Sequence, residues 1–328
     1  MKRRSSRCLA LFALAAASTA LRTEAQAPAA SEQGVQINQL TNRLRVEING
    51  QLFTEYFFKD VPRPYCYPLI GPGDVAMTRN WPMKDTPNEE HDHPHHRSLW
   101  FAHGAVNGHD FWSEAKGFGK IVHDGFIEVK SGEDVGVIRE RNNWVTAQGE
   151  LVCTDERTLR IYNPGTAPER VFDFEITLRP AEGDLTFGDT KEGTMAVRLA
   201  ETMRLKGKVG HGHIVNSAGV RDGDTWGKRA DWCDYYGPVD GKVVGIAIFD
   251  DPRNPHHPTT WHVRDYGLFA ANPFGLHDFE KLSNKNAGDS VVPVGKSVTF
   301  RYRFYLHEGD EQQAKVAERY KAYVAGNR

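Results

Sequence analysis

The stretch LRVEINGQLF, residues 44–53, alternates apolar Leu44, Val46 and Ile48 with charged Arg45 and Glu47, turns on Asn49-Gly50 and resumes with Leu52 and Phe53. A period of two puts the three apolar side chains on one face of an extended strand, and Asn-Gly accepts the positive φ angles of a two-residue turn. These ten residues therefore predict a β-hairpin. Similar alternating or apolar runs lie at 125–129, 137–141, 144–151, 158–162, 171–178, 195–199, 243–249 and 298–306, separated by Gly, Pro, Asn and Asp. Short strands punctuated in this way predict an all-β chain, folded as a large antiparallel β-sandwich. The exception is 311–324, where Val316, Tyr320 and Tyr323 recur at helix spacing and Gly326 supplies a stop, so a C-terminal helix is expected there. Neither a linker-like segment nor an internal repeat interrupts the pattern, and 35–328 reads as a single domain.

The N-terminus reads as an export signal. Lys2, Arg3, Arg4 and Arg7 precede an apolar stretch from Cys8 to Leu21, and small residues at Ala25 and Ala27 suit cleavage near position 27. The expected product is periplasmic or secreted. After the signal, no apolar run approaches the roughly 20 residues of a membrane span, so no membrane insertion is expected. A formal net charge of −2 with no basic stripe gives no electrostatic support for nucleic-acid binding. Cys66, Cys153 and Cys233 remain after processing, and three thiols form at most one disulfide.

Chemistry concentrates between Glu89 and His109, in EEHDHPHHRSLWFAHGAVNGH, which holds six histidines. Imidazole is the side chain whose ordinary pKa lies nearest neutrality, so it serves as metal ligand, proton carrier or hydrogen-bond donor. His91, His93 and His95 alternate, and on an extended strand would share a face able to hold a divalent metal. Pro94 interrupts that strand, however, and no carboxylate follows at a recognised ligand spacing. No motif calls for a cofactor, and the divalent metal is an alternative. His95, His96 and His103 are the candidate proton carriers, and Arg97 a candidate for holding substrate oxygens.

Three later segments have a similar make-up. FGDTKEG offers Asp189 and Glu192 as the carboxylate partners of a histidine, with Lys191 between them. Asn216 leads to WGKRADW, where Trp226, Lys228, Arg229 and Asp231 are candidate ligand contacts. In WHVRDYG, His262 and Arg264 would share one face of a strand, and Asp265 follows. A histidine and a carboxylate with different pKa values can give and take a proton, while tryptophan faces beside charged donors suit a pyranose ring. The chain lacks a G-x-S-x-G elbow, a P-loop and a strand-linked G-x-G-x-x-G.

Taken together, DHPHHRSLWFAHG, NGHDFW, FGDTKEG, NSAG, WGKRADWCDYYG and WHVRDYGLFAANPFG resemble the PmoA-like family of exported bacterial proteins. That family is a domain of unknown function, often labelled methane oxygenase PmoA, and the resemblance covers about 35–306. The methane monooxygenase subunit of that name is a multi-span membrane protein, whereas this chain has no span after its signal. The resemblance implies a sandwich of the galactose-mutarotase-like supersandwich kind. The expectation is thus an exported carbohydrate-active protein, an enzyme using His/carboxylate acid-base chemistry on a small-molecule sugar or glycoside. The alternatives are a metal-dependent oxygenase or hydrolase using the His91–His96 cluster, and a non-catalytic carbohydrate-binding protein.

Overall fold

The structure is a computed structural model that describes residues 33–326. The expected signal at 1–27 lies outside them. In chain order the strands are β1 (Val35–Gln39), β2 (Arg43–Ile48), β3 (Gln51–Phe57), β4 (Tyr65–Cys66), β5 (Leu99–His103), β6 (Lys120–Lys130), β7 (Val135–Val145), β8 (Leu151–Tyr162) and β9 (Arg170–Pro180). They continue with β10 (Leu185–Phe187), β11 (Gly193–Arg198), β12 (His213–Asn216), β13 (Trp232–Val239), β14 (Lys242–Asp250), β15 (Thr260–Val263), β16 (Leu268–Asn272), β17 (Ser290–Val292) and β18 (Val298–Glu308). Two helices, α1 (Leu276–Glu280) and α2 (Val316–Gly326), complete the elements used below.

Two eight-stranded antiparallel sheets carry the fold. The first runs β1-β2-β3-β4-β5-β11-β16-β15, the second β12-β13-β14-β18-β9-β8-β7-β6, and β10 pairs with β17 in a small third sheet. The hairpin read from residues 44–53 is β2 and β3, with φ of +52° at Asn49 and +78° at Gly50. Asn49 adds a side-chain role, its Oδ1 accepting the Gly34 N–H at 2.8 Å. The inner faces of the sheets meet through aromatic rings: Phe101 of β5 lies 6.2 Å from Phe174 of β9 and from Phe300 of β18, and Phe53 of β3 lies 5.7 Å from Phe172 of β9. An antiparallel β-sandwich with a C-terminal helix is therefore the architecture.

Two sequence boundaries need correction. Residues 144–151 are not one strand: β7 ends at Val145, Thr146 and Glu150 close a turn, Gly149 takes φ of +90°, and β8 begins at Leu151. The C-terminal helix starts at Val316 rather than at 311, because the preceding residues form turns and Lys315 adopts φ of +53°. That helix covers the outer face of the second sheet, Tyr320 and Tyr323 resting on Phe249 with ring centroids 5.5 and 6.0 Å apart. Cys66, Cys153 and Cys233 are all buried and unpaired, and burial pushes the Cys66 thiol up to about 12. Among the described residues no helix is long and apolar enough to cross a membrane.

Candidate functional site

Strand register defines the ground of the site. Trp100 faces Ala196, Ala196 faces Ala270, and Ala270 faces His262 across β5, β11, β16 and β15. Directly opposed residues of antiparallel strands share a face. Since Phe101 points into the sandwich, this row lies on the outer face of the first sheet, where two small alanines separate a tryptophan from a histidine. Arg198 belongs to the same face, two residues beyond Ala196 on β11.

The histidine loop closes over one end of this row around a single carboxylate. Asp92 Oδ1 accepts from Arg79 Nη1 and, at 2.7 Å, from Arg198 Nη2, while Oδ2 lies 2.7 Å from His93 Nδ1. Burial alone would raise this carboxyl, but His93 and the two guanidiniums hold it well below the usual carboxylate range. His93 is thereby oriented with Nδ1 toward Asp92, and its ring stacks on Tyr266 at 5.0 Å and on His96 at 4.7 Å. His96 is buried, with Nδ1 3.0 Å from Arg198 Nη1. His95 stands against His96 edge to face at 4.5 Å. Burial, then the charge of Arg63, lowers His95 to about 4, so its ring is neutral at pH 7.

Tyr266 joins this wall to the later segments. The guanidiniums of Arg198 and Arg264 lie 4.8 and 5.3 Å from its ring centroid. Burial raises its phenol, Arg264 and Arg198 pull it back, and Glu192 and Asp92 push it up, so all four charges act on one ring. Glu192 Oε1 pairs with Lys191 Nζ at 3.0 Å. Its backbone carbonyl accepts the Gly104 N–H at 2.7 Å, and a Cβ on Gly104 would lie 2.9 Å from that of Glu192, which is why glycine stands there. On the far side, Trp226 Nε1 donates to His262 Nδ1 at 3.0 Å, which places the proton of the neutral His262 ring on Nε2. Burial, with Arg264 and Lys191 nearby, lowers His262 to about 3. Trp226, Arg264 and Asp265 line a cleft of about 360 Å³ together with Lys206, Gly223 and Val263. Arg264 also lies over Trp226, at 5.8 Å, so it bridges that cleft to Tyr266.

The structure thus brings His95, His96, Lys191, Glu192, Trp226, His262, Arg264 and Asp265 into one neighbourhood, and sets the other candidates apart. His103 is enclosed between Phe187 and Phe274, with Nε2 2.8 Å from the Gly188 carbonyl, and supports the loop beneath it. The Asp189 carboxylate accepts from the N–H groups of His277 and Gly288, and its Oδ1 also lies 2.9 Å from His277 Nδ1. Arg97 is held by both carboxylate oxygens of Glu114, at 3.0 and 2.8 Å. Asn216 closes its own turn through the Ala218 and Val220 N–H groups. Lys228 and Arg229 are exposed, the latter reaching the His256 carbonyl, and Asp231 lies 3.5 Å from His257.

The three alternating histidines do not share a face. His93 takes φ of +42° and the chain turns at Pro94-His95, so no strand forms. His91 instead stacks on Trp81 at 3.9 Å and pairs with Asp85 at 3.2 Å. Among the described residues no group of three His, Cys, Asp or Glu side chains is placed to hold a metal ion. The residues that sequence reasoning missed are Asp92, Arg79, Arg198 and Tyr266. The HDH run was a usable signal for Asp92, since a carboxylate between histidines is a natural imidazole partner, but Arg198 lies 106 residues from its Asp92 contact.

Comparison with known proteins places residues 43–321 in a Family of unknown function (DUF6807), and the chain belongs to that family. No curated protein matches it.

Proposed function

We propose that this member of a family of unknown function is an exported carbohydrate-active enzyme that performs His/carboxylate acid-base chemistry on a sugar or glycoside. The observation that carries the proposal is the position of Arg264, which lines the cleft beside Trp226 and also lies over Tyr266, the ring on which His93 stacks. A cleft of this size suits a monosaccharide unit, Trp226 offering a stacking face and Arg264 and Asp265 offering partners for hydroxyl groups. His93, oriented through Nδ1 by Asp92, keeps Nε2 for proton transfer. His95, neutral at pH 7, and Glu192 complete the set. Of the candidates taken from sequence, His103 and Asp189 fall away as members of this set because the Gly188 carbonyl occupies the one, and the His277 and Gly288 N–H groups with the His277 imidazole occupy the other.

Export rests on the basic and apolar N-terminal sequence, and the resemblance to PmoA-like proteins and to the galactose-mutarotase-like supersandwich belongs to the same proposal. The test is a screen of neutral and acidic glycosides with the mature chain, followed by Glu192→Gln and Trp226→Ala. Glu192→Gln should lower kcat by roughly 100-fold or more with little change in KM, the scale of one positioned proton-transfer group. Trp226→Ala should chiefly raise KM. Binding without turnover, lost in Trp226→Ala and kept in Glu192→Gln, would instead identify a carbohydrate-binding protein.

A further inference from the structure

Arg264 lines the Trp226 cleft with no anion of its own, unlike its cationic neighbours. Arg198 has Asp92 at 2.7 Å, Lys191 has Glu192 at 3.0 Å and Lys206 has Asp265 at 3.2 Å. The backbone of Arg264 is engaged, its N–H donating to the Leu268 carbonyl at 2.7 Å and its carbonyl accepting from the Tyr235 hydroxyl at 3.2 Å. Among the described residues no group accepts a hydrogen bond from its guanidinium or forms an ion pair with it. What flanks the guanidinium is the pair of rings Trp226 and Tyr266, with centroids 5.8 and 5.3 Å away.

The two rings explain how Arg264 is placed but not what its donors meet. A ring face attracts the charge and takes up no N–H, so the planar fork of donors stays available for the oxygens of an oxyanion. Water satisfies the donors of a surface arginine but does not account for a charge fixed over two aromatic rings at the wall of a cleft. A hydroxyl group accepts from the fork and leaves its charge uncompensated. The local field agrees. After burial, Arg264 is the strongest influence on both titratable rings beside it: with Lys191 it lowers His262, and with Arg198 it pulls Tyr266 down ahead of the opposing push of Glu192 and Asp92. No carboxylate figures among the influences on His262. The distance from the guanidinium to the Trp226 ring is one that a sugar ring with an exocyclic group spans, within a cleft of about 360 Å³.

We propose that Arg264 binds an oxyanion substituent of the sugar, a carboxylate or a sulfate ester, so that the cleft takes an acidic sugar in preference to a neutral one. The substrate class rests on the carbohydrate reading above. Within that reading Arg264 sets specificity, while Trp226 supplies the surface on which the ring lies.

The experiment is isothermal titration calorimetry of the mature chain with glucuronate, galacturonate and glucose 6-sulfate, against glucose and galactose, and with acetate and sulfate as anions without a sugar. At least one acidic sugar should bind about tenfold or more tighter than its neutral parent, the scale of one charge-assisted contact, with uronates and sulfate ester separating the two oxyanions. Added sodium chloride should erode that preference. Arg264→Gln should abolish it, and Arg264→Lys, which keeps the charge and loses the fork, should retain part of it. If Arg264→Gln fails to fold, Arg264→Lys and the salt dependence of the unaltered chain decide. Equal affinity for acidic and neutral sugars, no binding of any acidic sugar, a preference indifferent to salt, or one that survives in Arg264→Gln overturns the proposal. Acetate or sulfate bound as tightly as the acidic sugars overturns it together with the carbohydrate reading. Turnover of neutral glycosides with no acidic preference overturns it and leaves that reading standing. An acidic preference lost in Arg264→Gln but without turnover supports it and removes the enzyme reading.

Discussion

Asp92 is the residue on which the histidine loop depends. It faces two fully buried guanidiniums, Arg79 and Arg198, and its other oxygen orients His93. Asp92→Asn keeps the shape but leaves two buried cations without their counter-charge, and removing one partner of a buried pair costs about 3 to 5 kcal/mol. Because Asp92 is itself 31 % exposed, a loss near the lower end, roughly 3 kcal/mol, is expected as a lower urea midpoint at unchanged slope. The pH sign is that of a depressed carboxyl: its contribution is present above the unfolded value near 3.9 and is lost only as pH falls toward the lower folded value. The mutant's deficit should therefore be constant from pH 8 to about pH 5. At this scale the sequence revealed where histidines are dense but not which of them are free. His103 spends its chemistry on the Gly188 carbonyl and Asp189 on His277 and the Gly288 N–H, a choice made by contacts 85 to 99 residues away in the chain.

Elements were legible where one face of a strand meets water. β2, with its alternating burial, and β7 to β9 follow the period-two pattern. The strands that carry the site do not. β5, β11, β15 and β16 are buried at every position because the sandwich covers one face and loops cover the other. Such runs read as undifferentiated apolar sequence: 195–199 suggested a strand, now β11, without an assigned face, and only WHVR suggested which face its residues take. Packing between strands also explains Gly245 on β14, where a Cβ would stand 2.3 Å from His307 Cε1 on β18. His307 Nε2 lies 3.1 Å from Asp234 Oδ1 on β13, and both side chains are buried. Gly245→Ala should push His307 away from Asp234 and cost roughly 3 kcal/mol in urea unfolding. Gly125→Ala on β6, where an added Cβ meets nothing within 4 Å, should stay within about 0.5 kcal/mol. Equal midpoints for the two variants would remove the steric account of Gly245.

Across the whole molecule the histidines fall into two opposed groups, and their sum sets the pH at which the fold is most stable. His95 and His103 are lowered to about 4 and His262 to about 3, each first by burial, and His96 is lowered well below its ordinary value by the same cause. His95, His96 and His262 sit on the outer side of the first sheet, and His103 points inward from it, on the face of Phe101. The unfolded chain takes up protons at them near pH 6.5 while the folded chain does not, so the unfolded state binds more protons and stability falls as pH drops from about 6.5 toward 4. Each group contributes up to about 1.4 kcal/mol per pH unit in that window. His257 and His307 have the opposite sign. A hydrogen bond to Asp250 raises His257, while at His307 burial, the largest single influence, is outweighed by the charge of Asp234, its hydrogen bond and the backbone at Glu308 and Gly309 together. Their stabilisation is complete below pH 6.5 and is lost as pH rises through their folded values. Urea unfolding from pH 4 to 9 at constant ionic strength should therefore give a maximum near pH 6.5 to 7, with the steeper flank on the acid side because four groups act there and two on the other. Asp234→Asn should flatten the alkaline flank and steepen the acid one, since it removes the partner that raises His307, leaves burial to lower that ring, and does not touch the other four.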